Sequence, residues 1–260
     1  MLSVLLPYAP VMPGNSLEGL KMAGGIPNVL ICTLFRDSEF YLHNFLNSIG
    51  KLIEFSKKNY NIDLCFIEGN STDNTYQKLE RWMSTCSNIA LYKHNSSESK
   101  YKRLAILRNM ALELGLKEYH DYVMMIDSDI SFKEDLLQRL VTSLERTDGV
   151  MMAPMIYVEN TETFHDILAF VKNGINFVNL HPYHESFLKH SGIMEMDSVG
   201  DCFLLRAGAI SNAKFEGDGH SEQIGFCQNI RKAGGRIYLD KRIVVYHADL
   251  PKYGLKWHKI

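Results

Sequence analysis

YVMMIDSDISF, residues 122–132, is the stretch on which the fold turns. Tyr122 to Ile126 is a continuous apolar run, the pattern of a strand buried on both faces. It runs straight into Asp127-Ser128-Asp129, after which Ile130 and Phe132 are apolar again. Strands of this kind belong to parallel sheets covered by helices, whose ligands sit beyond the carboxyl ends of the strands. Two carboxylates flanking one serine at such an end can face a single point and together neutralise a divalent cation. Oxygen donors suit Mg2+ or Mn2+, ions that commonly bridge protein carboxylates to substrate phosphates. The plainer alternative is a helix-capping aspartate beside a solvated one.

Working outward, strand and helix patterns alternate. NVLICTLF (28–35) reads as a buried strand, and EFYLHNFLNSIGKLIEF (39–55) as a helix with apolar positions 42, 45, 46, 49, 52 and 53. IDLCFIEG (62–69) is a second strand and TDNTYQKLERWMST (72–85) a helix opened by a Ser/Thr/Asp cap. IALYKH (89–94) is a third strand, KYKRLAILRNMALELGL (100–116) a helix and DYVMMID (121–127) the fourth strand. This spacing predicts an α/β fold built of right-handed βαβ units, with a mostly parallel sheet and helices on both faces. Thr33 to Arg36, Glu68 to Ser71 and Asp127 to Asp129 all fall at strand ends and should converge in one cleft. Beyond Phe132 the pattern gives a helix to about Arg146, a strand over 149–158 and a less regular aromatic- and His-rich segment over 159–195. A strand over 198–210, a helix over 221–234 bounded by Ser221 and Gly234, and an extended run over 236–250 follow.

The chain has 260 residues, 46% hydrophobic and 22% charged, enough for one substantial domain. A formal net charge of −2 gives no global field toward nucleic acid or an anionic membrane. Five cysteines, an odd number with no CxxC pair, argue for buried thiols in a reducing compartment. MLSVLLPYAP at the start lacks the pattern of a signal peptide, and no stretch is apolar enough to span a bilayer. A cytoplasmic protein is therefore expected. Residues 1–27 hold four of the seven prolines and read as an arm laid over a single domain at 28–260.

Several other residues can carry chemistry. Glu68-Gly69 places a carboxylate and a flexible backbone where a nucleobase edge could be bound. Arg36, Lys102, Arg103 and Arg108 are candidate partners for a diphosphate, although helix arginines are more often solvated. His247 ends the run RIVVYH and is either structural or a nitrogen ligand suited to Mn2+. Glu222 follows the cap Ser221, where the helix dipole favours its charged form. It is either a helix-start carboxylate or a base aimed into the cleft.

In order along the chain, TLFRDSEFYLHNFLNSI, EGNSTDNT, KRLAILRNMAL, DYVMMIDSDI, VGDCFLLRAG, SEQIGFCQNIRKAGGRIYL and VYHADL resemble the motifs of GT-A-fold glycosyltransferases over about residues 28–250. Among these the pieces are most similar to the yeast mannan-polymerase α-mannosyltransferases, which carry an N-terminal membrane anchor that has no counterpart here. The resemblance implies a GT-A, Rossmann-like domain with a nucleotide-sugar half (28–132) and an acceptor half (133–260). It further implies that Asp127, Asp129 and His247 hold Mn2+ or Mg2+, with Asp129 the more direct ligand. Thr33, Arg36, Glu68, Arg103, Arg108, Asp127 and Ser128 become donor contacts, and Glu222 and Asp201 the catalytic carboxylates. In inverting members a carboxylate at the position of Glu222 takes the acceptor proton, whereas the mannan-polymerase enzymes retain configuration. The implied activity moves a sugar from a nucleoside-diphosphate sugar, GDP-mannose or a UDP-sugar, to a glycan hydroxyl. A non-catalytic carbohydrate-binding or scaffold protein is one alternative. A sugar-nucleotide pyrophosphorylase is another, but it would need a Gly-rich phosphate loop where TLFRDSE stands.

Overall fold

β1 (Asn28–Phe35) is buried from its second residue onward, as its unbroken apolar sequence requires. In the computed structural model, which describes residues 25–161, 163–165, 168–177, 192–217 and 221–248, it lies near the middle of a nine-stranded sheet. The expected arm and much of the 159–195 segment fall outside the described residues. Parallel partners flank β1: β2 (Asn61–Glu68) pairs with Cys32 opposite Cys65, and β4 (Tyr122–Ile126) with Cys32 opposite Met125. β3 (Ile89–Lys93) adds to β2, also in parallel. The connections are α1 (Leu42–Ser56), α2 (Thr75–Met83) and α3 (Lys100–Gly115).

The second half completes the sheet in mixed fashion. β5 (Ile130–Ser131), α4 (Leu136–Glu145) and β6 (Met151–Val158) come first, followed by a small hairpin of β7 (Val171–Lys172) and β8 (Ile175–Asn176). Its turn residues Asn173 and Gly174 both adopt positive φ, as a tight hairpin demands. β9 (Ile193–Met196), β10 (Cys202–Arg206), a 3-10 turn (Ala207–Asn212), α5 (Glu222–Lys232) and β11 (Ile237–His247) finish the order. β10 runs antiparallel between β4 and β6, so β6 points the same way as β4, and β11 pairs parallel with β6. Thus β1, β2, β3, β4, β6 and β11 share one direction and the sheet is mostly parallel, as expected from sequence. The strand expected over 198–210 is shorter, because the chain turns into the 3-10 helix after Arg206.

Helices cover both faces. On one, Phe45 of α1 meets Phe35 edge-on, with centroids 5.6 Å apart, and Trp82 of α2 stacks on Phe66. On the other, α3 packs so closely that a side-chain carbon on Gly115 would stand 2.8 Å from Cys65 Cβ, which explains the glycine. Phe226 of α5 stacks on Phe215 at 4.0 Å. Among the described residues no helix is long and apolar enough to cross a membrane, and Cys32, Cys65, Cys86 and Cys202 are free thiols.

A bulge in β11 between Asp240 and Val244 has a consequence for the site. Below it β11 pairs with β9, and above it with β5, where His247 stands opposite Ile130. The pairing carries His247 to the carboxyl-end rim beside Asp129, whose carbonyl accepts the Ala248 N–H at 2.8 Å.

Candidate active site

The loops after β1 and β2 are tied to each other. Asp37, at φ 47°, accepts from both the backbone N–H and the hydroxyl of Thr72, and Asp73 accepts from the Glu39 N–H. The Ser-Thr-Asp triplet therefore serves a cross-loop lock as well as its helix, and α2 begins three residues later than its capping pattern suggests. Glu68 is fully buried. One oxygen accepts from Ser71 N–H at 2.8 Å, while Oε2 has no hydrogen bond and sits 4.0 Å from Lys93 Nζ.

β4 ends at Asp127, whose N–H donates to the Asp201 carbonyl at 2.8 Å. The antiparallel run of β10 makes this contact: its first residues lie against the last of β4, so Asp201 joins the same rim. Asp201 holds φ 50°, a left-handed conformation that costs a non-glycine residue about 1 kcal/mol or more. Its carboxylate accepts from Gln223 Nε2 at 3.2 Å and lies 3.4 Å from His165 Nε2. Burial opposes its charge, but these contacts and nearby His247 hold its pKa down at about 2.

Arg108 joins the two halves. This α3 residue is 2% exposed, with Nε donating to Glu222 Oε1 at 2.9 Å. Its Nη2 lies 2.9 Å from Asp127 Oδ1 and 3.0 Å from Oδ2, with the directed hydrogen bond to Oδ2. Burial works against the Arg108 charge, yet the two carboxylates outweigh it and raise its pKa. Asp127 is pushed up to about 7 by burial, with Asp201, Asp129 and Glu222 adding repulsion that Arg108 only partly offsets.

Asp129 and His247 form the outer pair, Oδ2 to Nε2 at 3.1 Å. Burial disfavours the imidazolium, but Asp129 and then Asp201 lift His247 to about 9. Nearby, Ser128 is buried with its hydroxyl 3.2 Å from that of Ser38.

Glu68 apart, the expected site residues divide into three groups. Asp127, Ser128, Asp129, Asp201, Glu222 and His247 come together at one rim. Arg36 and Arg103 lie near each other at the mouth, and after burial Arg36 is the influence that lowers the Arg103 pKa. Arg36 is exposed with Asp37 3.6 Å away, while Arg103 donates to the Glu98 carbonyl at 3.2 Å; Lys102 pairs with the Glu98 carboxylate. Two expected donor contacts are enclosed by the protein. Thr33 is 1% exposed within β1, on the α1 side, with its hydroxyl unpaired, and presents no surface to the cleft. Arg108 is enclosed by two carboxylates of the protein itself rather than open to a diphosphate.

The expected metal set is also only partly assembled. Among the described residues, no three His, Cys, Asp or Glu side chains are placed as a metal-holding group. Arg108 occupies the Asp127 carboxylate. The Asp129–His247 pair by itself fits a divalent cation in kind: one carboxylate oxygen and one imidazole nitrogen face each other 3.1 Å apart.

Two residues that sequence reading passed over complete the rim. Gln223 follows Glu222 and is 4% exposed. His165 stacks on His247 with centroids 3.5 Å apart. The one sequence signal for the latter is the His-rich composition of its segment.

Residues 29–212 match the family described as Glycosyl transferase family 2, and the chain belongs to that family. No curated protein matches the sequence significantly. Among solved structures, the fold is similar to S. aureus TarS 1-349 in complex with UDP-GlcNAc, with TM-score 0.62 and 15% identity, over 90% of this chain and 62% of that one. TarS 1-349 alone gives TM-score 0.60 and 16% identity, over 85% and 60% of the two chains. GalNAc-T7 with UDP, GalNAc and Mn2+ gives TM-score 0.62 and 12% identity, over 90% and 45%. This chain thus spans under two thirds of the length of each of these proteins. The fold is GT-A.

Proposed function

We propose that this family 2 glycosyltransferase moves a sugar, a hexose or pentose, from a nucleoside-diphosphate sugar to a hydroxyl of a glycan acceptor, with a divalent cation at the rim. The carrying observation is the gathering of Asp127, Asp129, Asp201, Glu222 and His247 where β4, β10, α5 and β11 meet. UDP-GlcNAc in TarS and UDP with GalNAc in GalNAc-T7 support a UDP-sugar donor, and the mannan-polymerase resemblance supports GDP-mannose. Mn2+ in the GalNAc-T7 structure supports Mn2+ here, with Mg2+ as the alternative. The free thiols support a reducing compartment, the cytoplasm.

Asp129 and His247 would hold the ion, which when bound supplies positive charge against the developing negative charge of the departing diphosphate. Arg36 and Arg103 bring two cations to the mouth, a placement that suits the diphosphate oxygens. The unpaired Oε2 of Glu68 can accept from a nucleobase edge. Arg36, Glu68, Arg103 and Asp129 belong to 28–132, the nucleotide-sugar half; 133–260 adds His247 and supplies the acceptor side. Asp201 and Glu222 are the catalytic carboxylates in this reading. Glu222 would take the acceptor proton in an inverting reaction. Its enclosure by Arg108 equally suits a retaining enzyme, in which it steadies the site.

Thermal unfolding with Mn2+ and either UDP or GDP tests the reading. The correct nucleotide at 100 times its dissociation constant should stabilise by about 2.7 kcal/mol. Asp129→Ala should remove the Mn2+-dependent part and leave the fold intact. Nucleotide binding that is the same in chelator, together with wild-type turnover of the variant, would defeat metal-dependent transfer.

A further inference from the structure

Two imidazoles meet face to face at the rim. The rings of His165 and His247 have centroids 3.5 Å apart and planes 13° from parallel. Stacked rings present faces, so neither donates to the other, and each turns Nε2 toward a different carboxylate. His247 faces Asp129 at 3.1 Å, and His165 faces Asp201 at 3.4 Å.

His165 is placed from below rather than by the rim. Its N–H donates to the Ile156 carbonyl of β6 at 2.9 Å. The preceding Phe164 is 1% exposed and meets Phe170 and Phe177 edge-on at 5.1 and 5.7 Å. That aromatic anchor holds the ring from the core. Asp201, in turn, is tied by its carbonyl to the Asp127 N–H and by its carboxylate to Gln223 at the start of α5. Among the described residues, His247 has its Nδ1 contact with the Ala248 carbonyl, at 2.9 Å, and Asp129 at its other nitrogen; these hold the ring edge, and His165 is what packs on the ring face.

We propose that His165 is a positioning residue with two separable roles: its ring face fixes the plane of His247, and its Nε2 fixes the carboxylate of Asp201. One side chain outside every motif of the site thereby sets two parts of its geometry. The inference rests on the proposed reading insofar as His247 and Asp129 hold the cation.

Two conservative variants split the roles. His165→Gln keeps a donor for Asp201 but has no ring; His165→Phe keeps a ring face but has no donor. In metal-free protein, the His247 ring proton resonances should lose their upfield ring-current shift in H165Q and keep it in H165F. Partners of metal ligands are typically worth about 10- to 100-fold in affinity, so H165Q should weaken Mn2+ binding by that factor while H165F stays within about threefold of wild type. In H165F, kcat should instead fall about 10-fold or more with the donor KM unchanged, because the Asp201 carboxylate keeps Gln223 but loses its second side-chain partner while the donor-facing residues stay in place. Unchanged His247 resonances in H165Q would overturn the proposal, as would equal Mn2+ affinities in H165Q and H165F. Resonances that move in H165Q while the wild type binds no Mn2+ would defeat the metal reading and leave the positioning contact standing.

Discussion

Replacing Arg108 by methionine would remove the guanidinium between Asp127 and Glu222 while keeping much of its volume. Removing one member of a buried ion pair typically costs about 3 to 5 kcal/mol, because the remaining charge stays buried without compensation. The structure assigns that cost unevenly. The Asp127 side chain is 26% exposed, so water can approach it, whereas the Glu222 side chain is 3% exposed. The Glu222 side therefore dominates, and a loss near the lower bound, about 3 kcal/mol, is expected. For a chain of this size that is a Tm lower by roughly 6 to 12 °C. Urea unfolding at pH 7 measures the loss directly. The double variant Arg108→Met, Glu222→Gln should recover part of it, since a neutral amide replaces the stranded charge. A single variant within about 0.5 kcal/mol of wild type at pH 7 would refute the view that Arg108 is the countercharge of the site.

His247 is lifted to about 9 in the folded protein, against about 6.5 in an unfolded chain. The folded state thus holds a proton the unfolded state lacks between those values; the stabilisation is complete below about 6.5 and disappears as pH rises through 9. Metal-free wild type should lose up to about 3 kcal/mol across that window in urea titrations at stepped pH, and His247→Gln should lose most of that dependence. At Gly69, a side-chain carbon would stand 2.8 Å from Leu107 Cδ1 and 3.1 Å from the His94 carbonyl oxygen. Gly69→Ala should therefore cost about 1 to 3 kcal/mol in the same unfolding assay, and a neutral result would mean that the loop shifts freely.

The first half of the sheet was legible because its strands are buried on both faces and read as unbroken apolar runs. β1 occupies the residues its sequence marked, and α3 ends one residue short of the expected range. The burial of Arg108 was legible in the helical phase. The buried positions of α3 are Ala105, Leu107, Arg108, Ala111 and Leu112, so Arg108 lies on the apolar stripe, three residues after Ala105 and four before Leu112. An arginine at such a position is far more costly to bury than to expose, and it stays there only when carboxylates meet it. The charge type drew attention to a diphosphate; the helical phase pointed inward. Thr33 shows the same effect in a strand, where alternation puts its side chain with Ile31 and Phe35 beneath helix α1.

What sequence could not supply was the direction of β10. An apolar strand reads the same whether it runs with or against its neighbours, and its direction follows from how the preceding chain enters the sheet. That entry passes through segment 159–195, whose irregular pattern gave no period to follow. The consequence is chemical. With β10 antiparallel, its first residue Cys202 stands opposite Ile126, the last of β4, and Asp201 reaches the rim beside Asp127. Were β10 parallel to β4, Asp201 would lie at the opposite edge of the sheet, about 17 Å away at 3.3 Å per residue over a five-residue strand. Gln223 and His165 would then lose the carboxylate they both meet. The reversed strand is thus what converts two adjacent aspartates at a strand end into a rim of four carboxylates, one buried arginine and a stacked histidine pair.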